Sequence, residues 1–209
     1  TGVQTCALPI SLSIQMVKVF SRRLQHCNEV ATSISNASPT QLQQLKTVLA
    51  DEMGKPVGLH TMGIPAAIST LGVIVSFAIP QLWLGYGVLA GLDQPAEHVF
   101  VWVVLIALLF AGLNGVTMFM IGKGSMRAVR LHLTLAVISL VLTAAYLLVA
   151  LSGSAAPGVS LTAALVSIVM LMLSGSCILS TPFYKMLLFT LHNRAWRKLL
   201  SQTRTKTAR

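Results

Sequence analysis

Charge is what this sequence has least of: charged side chains make up 10% of it, with 5 Asp and Glu against 15 Lys and Arg. Soluble domains carry roughly a quarter, so there are too few polar groups to cover a water-exposed fold of this size. Between Lys55 and Lys123 there is no Lys or Arg. Cysteine is equally sparse. Cys6, Cys27 and Cys177 are scattered, with no CxxC pair and no histidine at ligand spacing. That pattern argues against a disulfide framework and a zinc site, and it fits a reducing compartment. HExxH, GxSxG, a phosphate loop, a glycine-rich dinucleotide loop and paired acidic motifs are all missing, so nothing points to an enzyme, a metal or a cofactor. Nor does any long stretch alternate polar with apolar residues, as a membrane barrel requires.

What the sequence has in quantity is apolar residues, 55% of the whole. They fall into long runs, and the pattern predicts an all-α, polytopic membrane protein with four transmembrane helices. The first run, from about Thr61 to Leu92, corresponds to roughly 48 Å of helix, longer than a hydrocarbon core of about 30 Å, so it must tilt or bend. Pro80 is the expected break. The second run is Val99 to Ile121, the third Leu131 to Leu151, and the fourth Val159 to about Leu179. Thr181-Pro182 then marks a kink or a fresh helix start.

Residues 1 to 10, Thr-Gly-Val-Gln-Thr-Cys-Ala-Leu-Pro-Ile, resemble a translated sequencing adapter and are set aside as an artefact. On that reading the natural start lies at Met16 or upstream of the given sequence. Residues 11–58 form a helical segment of cytoplasmic character. Leu12, Met16, Val19, Phe20, Leu24, Cys27, Val30 and Ile34 recur at steps of three and four, the mark of one helical face, suited to a membrane surface or to a partner helix. A second helix starts at Ser38-Pro39-Thr40-Gln41, where serine caps, proline suits the first turn and glutamine reaches back. Gly54 and Pro56 stop it. Residues 59–180 make the membrane domain, and 181–209 a basic, amphipathic juxtamembrane tail.

Basic residues orient the spans. Placing the N-terminus in the cytoplasm puts all 15 Lys and Arg on that side, which satisfies the positive-inside rule. Both termini are then cytoplasmic, and the expected location is the cell inner membrane. The net charge of +10 reads as a collar against anionic lipid, carried by Lys123, Arg127, Arg130, Arg194, Arg197 and Lys198. Nucleic acid is not required to explain it.

No Asp, Glu, Lys or Arg falls inside the four runs, which disfavours a proton relay or an ion site. Asn114 is the sharpest polar residue and is expected to find a partner on a neighbouring helix. Ala107, Ala111 and Gly115 repeat every four residues beside it, a face on which another backbone could approach. Ser174, Gly175 and Ser176 form a small cluster that either lines a path or bonds to its own helix. His60, His98 and His132 stand near span boundaries and read as solvated. Two functional classes follow: a non-catalytic accessory or interaction subunit with a protein partner or as a homo-oligomer, or a small transporter or channel component for an uncharged substrate. A third possibility is the membrane end of a truncated regulatory protein.

Overall fold

The structure, a computed structural model, describes residues 8–54, 58, 61–153 and 156–207, with side chains described over 15–54, 58, 61–153 and 156–204. The adapter-like residues 1–7, Lys55, Pro56 and His60 lie outside the described residues. All regular structure among the described residues is helical: α1 (Leu8–Asn36), α2 (Pro39–Met53), α3 (Ile64–Ala78), α4 (Gln81–Gly91), α5 (Val99–Gly122), α6 (Met126–Leu151), α7 (Leu161–Leu179) and α8 (Thr181–Thr207), with a 3-10 turn at Ala96–His98. The chain divides into two compact units, one of residues 64–178 and one of the residues on either side.

The outer residues make a three-helix bundle. The capping box forms as its residues imply: the Gln41 N–H donates to Ser38 Oγ at 3.4 Å, and the Ser38 N–H donates to Gln41 Oε1 at 2.9 Å. Gly54 ends α2 with φ of 75°, a conformation that costs glycine nothing. The buried stripe of α1 is Cys27, Val30, Ala31 and Ile34, and α2 contributes Leu42, Leu49 and Met53. Both meet Phe183, Leu187, Leu188, Leu191 and Ala195 of α8. Each fully buried leucine here stabilises the bundle by about 1.5–3 kcal/mol. The basic C-terminal segment is thus the third member of a packed bundle. It runs parallel to α1, because Arg23 donates to Thr181 Oγ1 at 3.4 Å and Arg194 donates to Ser35 Oγ at 3.2 Å.

The 64–178 unit contains four helices long and apolar enough to cross a membrane: Ile64–Gly91, Ala96–Gly122, Met126–Leu151 and Leu161–Leu179. The chain is therefore a membrane-embedded protein. The first of these is broken at Ile79-Pro80 into α3 and α4, since proline has no N–H to donate one turn back. Between α5 and α6 the turn is shorter than the charge pattern implies. Gly124, at φ of 79°, lets the chain reverse within three residues, so α6 already begins at Met126 and carries Arg127 and Arg130 in its first turns. Pro182 occupies the second position of α8, where a missing N–H leaves no gap in the helix.

Candidate functional site

The polar residues of the membrane unit form a seam along its interior. On α3 they are Ser69 and Ser76, on α6 His132 and Ser139, and on α7 Ser167 and Ser174; each pair is buried. Seven residues separate the members of every pair, a spacing that keeps side chains on the facing edge of helices crossing at a shallow left-handed angle. At one level Ser69 Oγ lies 2.8 Å from His132 Nε2 and 3.2 Å from Ser174 Oγ, while Ser174 Oγ donates to the Ser69 carbonyl at 3.0 Å. One level on, Ser139 Oγ donates to the Val73 carbonyl at 3.4 Å.

The third level belongs to Pro80. Without its N–H the carbonyl of Ser76, four residues earlier, has no helical donor. Thr143 Oγ1 and Ser167 Oγ donate to that oxygen at 3.2 and 2.9 Å, and the two hydroxyls lie 2.9 Å from one another. The kink and the two hydroxyls are therefore one feature, since a carbonyl left open in hydrocarbon is unfavourable. At the end of the seam Tyr146 donates to the Gly158 carbonyl at 3.1 Å and accepts from the Ser160 N–H at 3.0 Å. It ties α6 to the turn ahead of α7.

Close helix contact comes from glycines other than those the sequence singled out. A Cβ on Gly72 would stand 2.6 Å from the Met170 carbonyl oxygen, and one on Gly85 would stand 2.8 Å from the Trp102 ring. Around Gly115, which is exposed, nothing among the described residues comes within 4 Å of a Cβ position. Ala107 and Ala111, on the same helix, are only half-buried. Gly175 is likewise open, and the exposed Ser176 donates to Met172 of its own helix at 2.8 Å. Of that small cluster only Ser174 joins the seam.

Asn114 is fully buried, yet its Nδ2 donates to the Phe110 carbonyl of its own helix at 2.9 Å and not to a neighbour. Its Oδ1 has no hydrogen-bond partner among the described residues. Gln81, next to the Pro80 break and also buried, has neither amide atom paired among the described residues. His132 departs furthest from the sequence reading, because it is 1% exposed and bonded, not solvated at a boundary. Its approach to Ser69 has the distance of a nucleophile and its base. Both side chains are buried, and Ser174 Oγ makes a further contact with the Ser69 hydroxyl, so the arrangement joins three helices.

The chain matches no protein family, no characterised protein and no solved structure. What the residues themselves do is therefore the whole basis for a functional reading. Beyond the seam, an apolar groove of about 350 Å³ runs along α6 and α7 between Leu133, Ala136, Leu140, Leu171 and Met172, with Ser174 on its wall. Among the described residues no three His, Cys, Asp or Glu side chains gather into a metal site.

The basic residues divide into two kinds. Lys198 donates to the Ile34 and Ser35 carbonyls at 2.8 and 2.7 Å, which satisfies the open end of α1 and favours its negative pole. Arg194 holds Ser35 beside it. Lys123, 4.3 Å from the centre of the Phe119 ring, is exposed, as are Arg127, Arg130 and Arg197. In the same bundle a polar cluster joins the three helices: Tyr184 donates to Glu52, His26 stands 3.2 Å from the other Glu52 oxygen, and Arg23 lies over the Tyr184 ring. Burial, and then the Glu52 charge, push the Cys27 thiol up to about 12. Burial and the bond to Glu52 raise the Tyr184 hydroxyl as well.

The sequence carried a signal for the seam. Ser69/Ser76, His132/Ser139 and Ser167/Ser174 stand seven apart in three different apolar runs. Serine and threonine carry no formal charge, so a charge pattern alone does not mark them.

Proposed function

We propose that the protein is a non-catalytic interaction or accessory subunit of the inner membrane, of the secretion-accessory, immunity or exclusion type, with both termini in the cytoplasm. The observation that carries this reading is the closed seam: its hydroxyls and His132 are bonded to one another and to backbone carbonyls. The outward faces, in contrast, are apolar side chains such as Phe100, Leu108, Leu109 and Phe119. A path for solute needs polar groups facing a channel, whereas a helix-packing module needs them facing each other. The partners are the lipid bilayer and a protein, either a different subunit or a second copy.

The test is affinity purification from membranes in mild detergent with quantitative mass spectrometry. A stoichiometric protein partner supports the accessory role; a homo-oligomer with no other protein and a measurable solute flux overturns it. The orientation is tested by Gln94→Cys and Ser125→Cys. An impermeant thiol reagent applied to intact cells should label the first and spare the second, and the reverse pattern would sink the topology.

A second reading, a transport or channel component for an uncharged substrate, is favoured by Gln81. A buried amide with neither atom paired among the described residues, beside a broken membrane helix, is the type of feature found at binding sites in discontinuous spans. Gln81→Leu separates the two: it should stabilise the fold if the amide is only a burden, and abolish flux if the amide contacts solute.

A further inference from the structure

Helices α6 and α7 touch at one end of the seam and part at the other. Thr143 Oγ1 lies 2.9 Å from Ser167 Oγ, so there the two helices meet directly. Toward the start of α6 they are bridged instead: His132 Nε2 and Ser174 Oγ lie 2.8 and 3.2 Å from Ser69 Oγ of α3, which joins the pair. The groove of about 350 Å³ opens along this splayed stretch, and its lining includes two small residues, Ala136 on α6 and Gly175 on α7. A Cβ placed on Gly175 would meet nothing among the described residues within 4 Å. Val137, Leu140 and Met172, which also line the groove, are exposed, so it is open from the side.

Size, chemistry and charge together limit the occupant. Both walls belong to helices long and apolar enough to cross a membrane. The hydroxyl on the wall, that of Ser174, donates to the Ser69 carbonyl and is turned to the seam. From Leu133 to Leu140 the groove runs about 10 Å, and a helix of that length displaces roughly 800 Å³. The groove holds less than half of this, which suits a chain one methylene wide better than a partner helix. The splayed end is also the basic end. Arg130 precedes Val137 by two turns and shares its side of α6, and an exposed arginine there reaches back toward the start of the helix. Lys123 and Arg127, exposed as well, lie just before it. We infer that the α6–α7 groove is a binding site for an anionic phospholipid, with one acyl chain seated against Ala136 and Gly175 and the phosphate at Arg130. Preference over bulk lipid comes from the shape of the groove and the phosphate contact, since acyl chains are as apolar as its lining. The site goes beyond the accessory reading and does not depend on which protein partner is bound.

Native mass spectrometry tests this on the full chain, delipidated in mild detergent and titrated with phosphatidylglycerol or phosphatidylcholine. The wild type should hold one phosphatidylglycerol in preference to phosphatidylcholine. Gly175→Leu fills the groove from a position with open space around it and should abolish that adduct. Gly115→Leu, the same change at an open glycine of α5, should keep it. Arg130→Gln, at an exposed position that does not depend on packing, should lower phosphatidylglycerol binding about fivefold and leave phosphatidylcholine unchanged, the effect of one basic residue at an anionic headgroup. Circular dichroism and gel filtration check the fold and the oligomeric state of each variant. Equal phosphatidylglycerol binding by the wild type and a folded Gly175→Leu overturns the proposal, and so does undiminished binding by Arg130→Gln. A Gly175→Leu variant that separates a dimer while its lipid count stays the same also overturns it, because the groove would then be covered by a second chain.

Discussion

In the α1, α2 and α8 bundle the deepest positions include Cys27, Ile34, Leu42, Leu49, Leu188 and Leu191, and among its described residues Thr190 is the buried polar one. In the 64–178 unit the deepest positions include Ser69, Ser76, Asn114, His132, Ser139 and Ser167, while Leu105, Leu108, Val141 and Val169 face outward. The same twenty side chains are sorted in opposite directions. Water rewards the first arrangement, because burying apolar surface is its main driving force. Lipid gives no such reward, since acyl chains are as apolar as leucine, and helix association rests on packing and on hydrogen bonds between spans. The comparison teaches that the two units should fail differently.

The largest effect is expected in the bundle. Leu191→Asp places a carboxylate at a fully buried site and should cost about 4 kcal/mol or more. Trypsin should then cut freely at basic residues of α1 and α8 in membrane vesicles while the four spans stay membrane-bound. If the spans are also lost, the units do not fail separately.

Alkaline pH should sharpen the same contrast. The folded Cys27 thiol is raised from its ordinary 9.0 to about 12, so between those values the unfolded chain has released a proton that the folded bundle keeps. Stability contributed by that thiol is present below about 9 and declines as pH rises toward about 12. Bundle stability followed by chemical denaturation should fall over this range. Cys27→Ala should fall less, Tyr184 supplying the remaining dependence. Below that range Cys27 should resist maleimide until the bundle is unfolded.

The seam should respond more weakly. Thr143→Val with Ser167→Ala leaves the Ser76 carbonyl without the two hydroxyls that serve it, and should cost about 1–2 kcal/mol in detergent-unfolding measurements. Adding Pro80→Ala restores an N–H one turn away and should return most of the loss, provided the helix straightens. Failure of that rescue would separate the kink from the hydroxyl pair. The smallest effect belongs to Lys198→Met, which removes the cap on α1 and should cost about 1 kcal/mol or less, diminishing at high salt.

Much of the fold was legible because it depends on local sums. Hydropathy over some twenty residues marks each span, and Ser38, Gln41 and Gly54 mark the ends of α2 through bonds within a few residues. The candidate site was only partly legible. Asn114 drew attention as the strongest amide in a span, but it bonds to its own helix. Ser174 belongs to the seam while Ser176, two positions on, faces away. His132 is the second residue of its apolar run, so run length alone marks it as a boundary residue. The basic tail read as a lipid-facing strip, yet Lys198 and Arg194 hold the end of α1.

By itself the sequence determined that the chain is helical, where its spans lie, and where proline must interrupt one of them, because composition, period and a missing N–H act on the chain locally. Only the tertiary structure decided which polar residues meet. Whether Ser69 reaches His132, whether Thr143 and Ser167 converge on the Ser76 carbonyl, and whether Gly72 rather than Gly115 admits a neighbouring backbone all depend on how helices distant in sequence cross. A shift of one residue in register would turn each of those side chains about 100° away from its partner.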